Sequence, residues 1–134
     1  FKIFIITNQS GVSKNYFSES KLIKINQYLL DEIEKSGGRV DKVFYDTSNS
    51  ENPSKNRKPN IGMVEQAVDE YKVALSKSWI IGDKDTDIVT GKFSNMKTIY
   101  IENSKYSYNS TLLPDYKVDN LNEAYKVIKK NIEK

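Results

Sequence analysis

The chain has 134 residues, 37% hydrophobic and 29% charged, with 0 Cys and 0 His, a composition that fits one soluble globular domain. It excludes disulfides, thiol nucleophiles, Cys/His zinc sites, Ser-His-Asp triads and imidazole bases, leaving chemistry to carboxylates, Lys, hydroxyls and backbone dipoles. The 21 basic against 18 acidic residues leave a net charge of +3, too small and dispersed for a nucleic-acid surface, and no apolar run approaches the ~20 residues of a membrane span.

In chain order, residues 1–6 form a β-branched and aromatic run that predicts a strand buried on both faces inside a parallel sheet. The turn cluster Thr7-Asn8-Gln9-Ser10-Gly11 ends it. Ser18 offers an N-cap, and Leu22, Ile25, Leu29 and Ile33 recur at helical spacing, predicting a helix over 18–36 that Gly37-Gly38 stops. Residues 40–45 read as a second strand and 46–58, rich in Ser, Asn and Lys, as a loop. Ile61, Met63, Val64, Ala67, Val68 and Tyr71 predict the next helix, and Trp79-Ile80-Ile81 a third strand running into Gly82-Asp83. A short helix over 85–93, a fourth strand over 97–101 and a closing helix over 121–132 complete the pattern. The stretch 102–119, with Tyr106, Tyr108 and Pro114, reads as mostly irregular. Strands alternating with helices imply a doubly wound α/β parallel sheet, in which ligands gather beyond the carboxyl ends of the strands.

Three of those ends are unusually polar. A hydroxyl and a run of turn amides from Thr7 to Gly11 can cradle phosphate oxygens, although such turns also serve simply to cap the next helix. Arg57-Lys58-Pro59 sets two cations just before a helix, where anions are favoured; such pairs in Lys-rich loops are also often merely solvated. Gly82-Asp83-Lys84-Asp85-Thr86-Asp87 places carboxylates directly after a hydrophobic strand, suiting Mg²⁺, which takes hard oxygen ligands. Asp87 reads equally well as a helix-start residue. Hydroxyl, cation pair and acid at successive strand ends together describe a phosphate site.

The runs Ile5-Ile6-Thr7-Asn8-Gln9-Ser10-Gly11, Arg57-Lys58-Pro59 with Gly62-Met63, and Ser78 through Ile88 resemble the second, third and fourth motifs of the haloacid-dehalogenase-like (HAD) phosphatases. The branch most similar contains heptose-bisphosphate and histidinol phosphatases. The resemblance implies a Rossmann-like core over residues 1–134 and a Mg²⁺-dependent phosphatase for a small phosphorylated metabolite, a sugar or polyol phosphate; the lack of Cys and of a visible export signal suits the cytoplasm. It implies that Thr7 holds the transferring phosphoryl group and that Asn8, Gln9 and Ser10 complete the substrate turn. Arg57 and Lys58 would neutralise charge, Asp83, with Asp87 as a second candidate, would ligate Mg²⁺, and Lys84 would reach substrate.

Two departures stand out. The family's nucleophile and general acid belong to an Asp-x-Asp-Gly motif, which these residues lack; the resemblance implies a preceding βα unit that carries it, and a chain inactive without it. Relatives carry Cys/His zinc ligands before Arg-Lys-Pro, whereas residues 46–56 hold none, so no zinc is expected and the loop must be held otherwise. Two other readings stay open: a non-catalytic phosphate-binding or interaction domain, and a polynucleotide 3′-phosphatase, against which stands the lack of an aromatic-plus-basic strip. Nothing in the sequence sets an oligomeric state.

Overall fold

The computed structural model describes residues 1–133, which fall into two compact units, the first spanning Phe1–Glu65 and the second running from Gln66 onward. The fold is mixed α/β with every strand pairing parallel, as the alternation of apolar runs requires.

In the first unit, β1 (Phe4–Asn8) pairs with β2 (Lys42–Asp46), in register from Phe4 opposite Lys42 to Asn8 opposite Asp46. Helix α1 (Glu19–Lys35) makes the crossover. Its first turn is capped by the Ser18 hydroxyl, which accepts from Lys21 N–H. Its last turn ends with Gly37 at φ 87°, while Gly37 and Gly38 N–H groups return to the Glu34 and Ile33 carbonyls. Leu22, Phe44, Met63 and Val64 are buried, and Phe4 meets the Phe44 ring edge-on at 5.8 Å. The expectation of a first strand buried on both faces does not hold. Every residue of β1 is half-buried and Phe1 and Ile3 are exposed, because among the described residues β1 has a single neighbour. The ladder also starts only at Phe4: the N–H of Ile3 goes instead to the Asp41 carboxylate at 2.7 Å.

Helix α2 (Gly62–Tyr71) begins in the first unit and ends in the second. A single 3₁₀ turn, Leu75–Lys77, precedes β3.

In the second unit, β3 (Trp79–Gly82), β4 (Lys97–Ile101) and β5 (Tyr116–Val118) form a sheet in that order, with α3 (Asp85–Phe93) connecting β3 to β4 and α4 (Leu121–Ile132) closing the chain. Ile88, Ile99, Thr98 and Ala124 are completely buried. Gly91 lets α3 approach the sheet: a β-carbon there would stand 2.3 Å from Ile80 Cγ2 and 2.6 Å from Thr98 Cγ2. Strand β5 lies in the stretch read as mostly irregular. It is pinned ahead of its first residue by Asp115, whose carboxylate accepts from Thr98 N–H at 2.8 Å, Thr98 Oγ1 at 3.0 Å and Lys92 Nζ at 2.8 Å. Burial pushes the Asp115 carboxyl up, but the Lys92 ammonium and the Thr98 donors outweigh it and hold it below the ordinary range. No helix among the described residues is long and apolar enough to cross a membrane.

Candidate functional site

The expected residues of the first unit sit at the carboxyl ends of its two strands. Thr7 and Asn8 close β1. The Thr7 hydroxyl accepts from Gln9 Nε2 at 3.0 Å, which leaves its own proton to donate. Gln9 N–H is committed to the Asp46 carbonyl at 2.7 Å. Ser10 is half-buried, its carbonyl taken by Lys14 N–H and the Ser13 hydroxyl.

Asn8 and Lys58 are joined, although 50 residues apart. Lys58 N–H donates to Asn8 Oδ1 at 2.9 Å, and Asn8 Nδ2 donates to the Lys58 carbonyl at 3.0 Å, so the side-chain amide pairs with the backbone as a strand neighbour would. Lys58 Nζ also donates to the Ile6 carbonyl at 3.0 Å, across the end of β1. The Lys58–Pro59 bond is cis. Thus Thr7, Asn8 and Lys58 are brought together, with Asn8 acting on the Lys58 backbone as well as lining the turn.

Arg57 is held from the 46–58 loop. Its Nη1 donates to the Ser48 carbonyl at 2.8 Å and its N–H to the Ser54 carbonyl at 3.2 Å. The loop is organised by Asp46, which the sequence reading placed in the loop but which ends β2 and is buried. Its carboxylate accepts from the hydroxyls of both Ser48 and Ser54 and from Ser48 N–H at 3.0 Å. Ser48 Oγ in turn accepts from Ser54 N–H at 3.0 Å, and Ser54 Oγ from Asn56 N–H at 3.1 Å. The bond from the N–H two residues on makes Asp46 the head of an Asx turn, which an acid at a strand end permits but does not announce.

The acidic stretch of the second unit follows β3. Asp83 is exposed, and its carboxylate makes no hydrogen bond or ion pair with the described residues; its carbonyl accepts from Asn103 Nδ2 at 2.7 Å. A hard-oxygen ligand at a strand end with its carboxylate uncommitted fits Mg²⁺, which needs only one or two protein carboxylates and keeps its waters. Asp87 is buried and turned inward, accepting from Lys84 N–H at 3.2 Å to close the first turn of α3. That turn depends on Gly82, where a β-carbon would stand 2.2 Å from Asp87 Oδ2. Asp85 accepts from Asn109 N–H at 2.9 Å. Among the described residues no three acidic side chains converge as a metal cluster.

Lys84 is exposed, with its ammonium 4.2 Å from the centre of the Tyr106 ring. Asn103, which the sequence reading did not single out, sets Tyr106 there: its Oδ1 accepts from the N–H groups of Lys105 and Tyr106 at 3.1 and 2.8 Å, while its Nδ2 bridges the carbonyls of Ile101 and Asp83. Tyr108 packs edge-on against Tyr100 at 4.9 Å. Burial first, then the charge of Asp85, pushes the Tyr108 hydroxyl up, so it stays neutral at physiological pH.

The chain is similar to known proteins in sequence and in fold. The 7-phosphatase for D-glycero-alpha-D-manno-heptose 1,7-bisphosphate from Campylobacter jejuni is 33% identical over 105 residues, covering 78% of this chain and 60% of its own. A D-glycero-beta-D-manno-heptose-1,7-bisphosphate 7-phosphatase from Helicobacter pylori is 31% identical over 98 residues, covering 72% of this chain and 57% of its own. The chain therefore spans somewhat under two thirds of the length of these curated relatives. The crystal structure of a D,D-heptose 1,7-bisphosphate phosphatase from B. bronchiseptica, complexed with magnesium and phosphate, superposes with a TM-score of 0.82 at 20% identity, covering 96% of this chain and 75% of that one, a likeness of fold. The HAD-hydrolase-like family model matches residues 55–124, more than half the chain and including Arg57, Lys58, Asp83, Lys84 and Asp87. By that match and by the fold, the chain belongs to the HAD-hydrolase-like family.

Proposed function

We propose that the protein is a Mg²⁺-dependent, cytoplasmic phosphatase acting on a small phosphorylated metabolite, with a sugar phosphate such as a heptose bisphosphate as the leading candidate. The observation that carries this reading is the pairing of Asn8 with Lys58, which sets the Lys58 backbone and ammonium against the end of β1, the strand that Thr7 and Asn8 close. In this reading residues 1–134 work as one phosphatase core. Thr7 donates its hydroxyl proton to a phosphoryl oxygen, and Asn8, Gln9 and Ser10 shape the turn around it. Lys58 and Arg57 compensate the charge that spreads over the phosphoryl oxygens during transfer. Lys84 contacts the remainder of the substrate. Asp83 holds the Mg²⁺, with Asp87 kept as the secondary candidate; the ion, when bound, supplies further charge neutralisation.

An Asp-x-Asp-Gly run is absent from the 134 residues, so the aspartyl nucleophile of this mechanism lies outside them. The same absence favours one rival, a phosphate-binding domain without catalysis. Release of inorganic phosphate from a panel of phosphate monoesters by the complete natural protein with Mg²⁺ distinguishes the two. We expect turnover that Asp83→Asn reduces by at least about a hundredfold, the usual scale for losing one charge-stabilising group. Phosphate binding with no turnover of any monoester would leave the binding-only reading standing.

A further inference from the structure

We infer that Asp46 is a positioning residue for Arg57, acting through a carboxylate–hydroxyl clip made with Ser48 and Ser54; the inferred consequence for ligand binding rests on the phosphatase reading. Three observations converge on it. The Asp46 side chain is buried, and both its oxygens are used: Oδ2 by the N–H and hydroxyl of Ser48, Oδ1 by the hydroxyl of Ser54. The two serines it fixes then present their carbonyls to the same residue, Ser48 to the Arg57 guanidinium and Ser54 to the Arg57 N–H. The Asp46 carbonyl, finally, accepts from Gln9 N–H, so one residue ties the turn after β1 to the loop that carries Arg57.

The chemistry is particular to a carboxylate. An ionised Asp accepts on both oxygens, whereas Asn turns one of them into a donor and sets it against a hydroxyl already engaged. A guanidinium on a long flexible stem loses much rotamer freedom when it is aimed, and a rigid carbonyl at one end of its fork meets that cost before any ligand arrives. Seven residues separate Asp46 from the second serine of the clip, and hydrogen bonds tie the two ends together. The clip therefore does for this loop what a bound metal could do, using only acid and hydroxyl groups.

The test exploits the chain's composition: its only arginines are Arg39 and Arg57. Phenylglyoxal modification followed by mass spectrometry reads both, with Arg39 as an internal control. Asp46→Asn and, as a milder variant in case that one fails to fold, Ser54→Ala should raise the Arg57 rate about fivefold, the scale of one lost hydrogen bond, and leave Arg39 unchanged. Ser54→Thr, which keeps the hydroxyl, should restore protection. An unchanged Arg57 rate in folded Asp46→Asn and Ser54→Ala overturns the inference.

Calorimetric titration with inorganic phosphate and Mg²⁺ supplies the second readout. Asp46→Asn should weaken phosphate binding in the parent but add nothing in an Arg57→Gln background, the non-additivity expected of residues acting in series. Equal weakening in both backgrounds would mean that Asp46 acts through the general fold, overturning the inference. Failure of the parent to bind phosphate would count against the phosphatase reading, and the Arg57 modification rate then decides the clip by itself.

Discussion

The two units fix their strand-end residues by different means. In the second, β3, β4 and α3 are close-packed: Ile88, Thr98 and Ile99 are fully buried and Gly91 leaves no room for a methyl group. In the first, no residue of β1 is fully buried; Asn8 and Lys58 are located by hydrogen bonds that reach across about fifty residues of sequence, and Arg57 by bonds within its own loop. A packed layer positions a carboxylate such as Asp83 by the rigidity of the strand beneath it. A polar network positions a side chain directly, and is correspondingly sensitive to the loss of single donors and acceptors.

The sharpest way to break this contrast is one methyl group in each unit. Gly91→Ala should destabilise by about 2 kcal/mol, because Ile80 and Thr98 are backed by the sheet and cannot yield, even after the ~1 kcal/mol that Ala favours a helix over Gly. Gly11→Ala meets only the outer edge of the half-buried Phe17 ring, which can turn, and should cost less than about 0.5 kcal/mol. Thermal unfolding of both variants measures the difference, and equal losses would remove the distinction.

A smaller effect should come from the polar side. Asn8→Ala removes both hydrogen bonds to Lys58 and should cost about 1 kcal/mol, with faster amide exchange at Lys58 itself. Unaltered exchange there would show that the amide pairing holds nothing in place.

The smallest effect is in acid. The carboxyls of Asp115 in the second unit and Asp41 in the first are both held below the ordinary carboxylate range, Asp41 chiefly by the Ile3 N–H and then by the charge of Arg39. A carboxyl lowered on folding stabilises fully above its unfolded value and loses that contribution as pH falls through the folded one. Asp115→Asn and Asp41→Asn should therefore each flatten the fall in unfolding midpoint below about pH 4. A steeper acid limb in Asp115→Asn would contradict the sign.

Most of the fold is legible in the sequence because long periodic segments declare themselves. The Ser18 cap, the Gly37-Gly38 stop and the bounds of α3, β4 and α4 match their expected positions. Strand β5 was not, since three residues are too few to show alternation and its place is set by Asp115 gripping Thr98, 17 residues away. The burial of the first strand departs from its expectation for a related reason: an apolar run reports what a strand can bury, and the number of neighbours decides what it does bury. Within the site, residue types at strand ends pointed to Thr7, Lys58 and Asp83. They gave no sign that Asn8 would grip the Lys58 backbone, nor that Asp46 and Asn103 would serve as hubs, because those roles are decided by how the chain folds back on itself and by backbone groups that every residue has.

The way the 46–58 loop is fastened bears on how such a protein can diversify. Its bonds close at Ser48 and Ser54, while residues 50–53 between them are exposed. Added length at that tip leaves the bonded ends where they are, and each doubling of a flexible loop costs only about 0.6 kcal/mol of closure entropy. Insertions there could reshape the approach to Arg57 over evolutionary time without disturbing the residues that aim it, and the tip is the natural place to graft new segments in the laboratory.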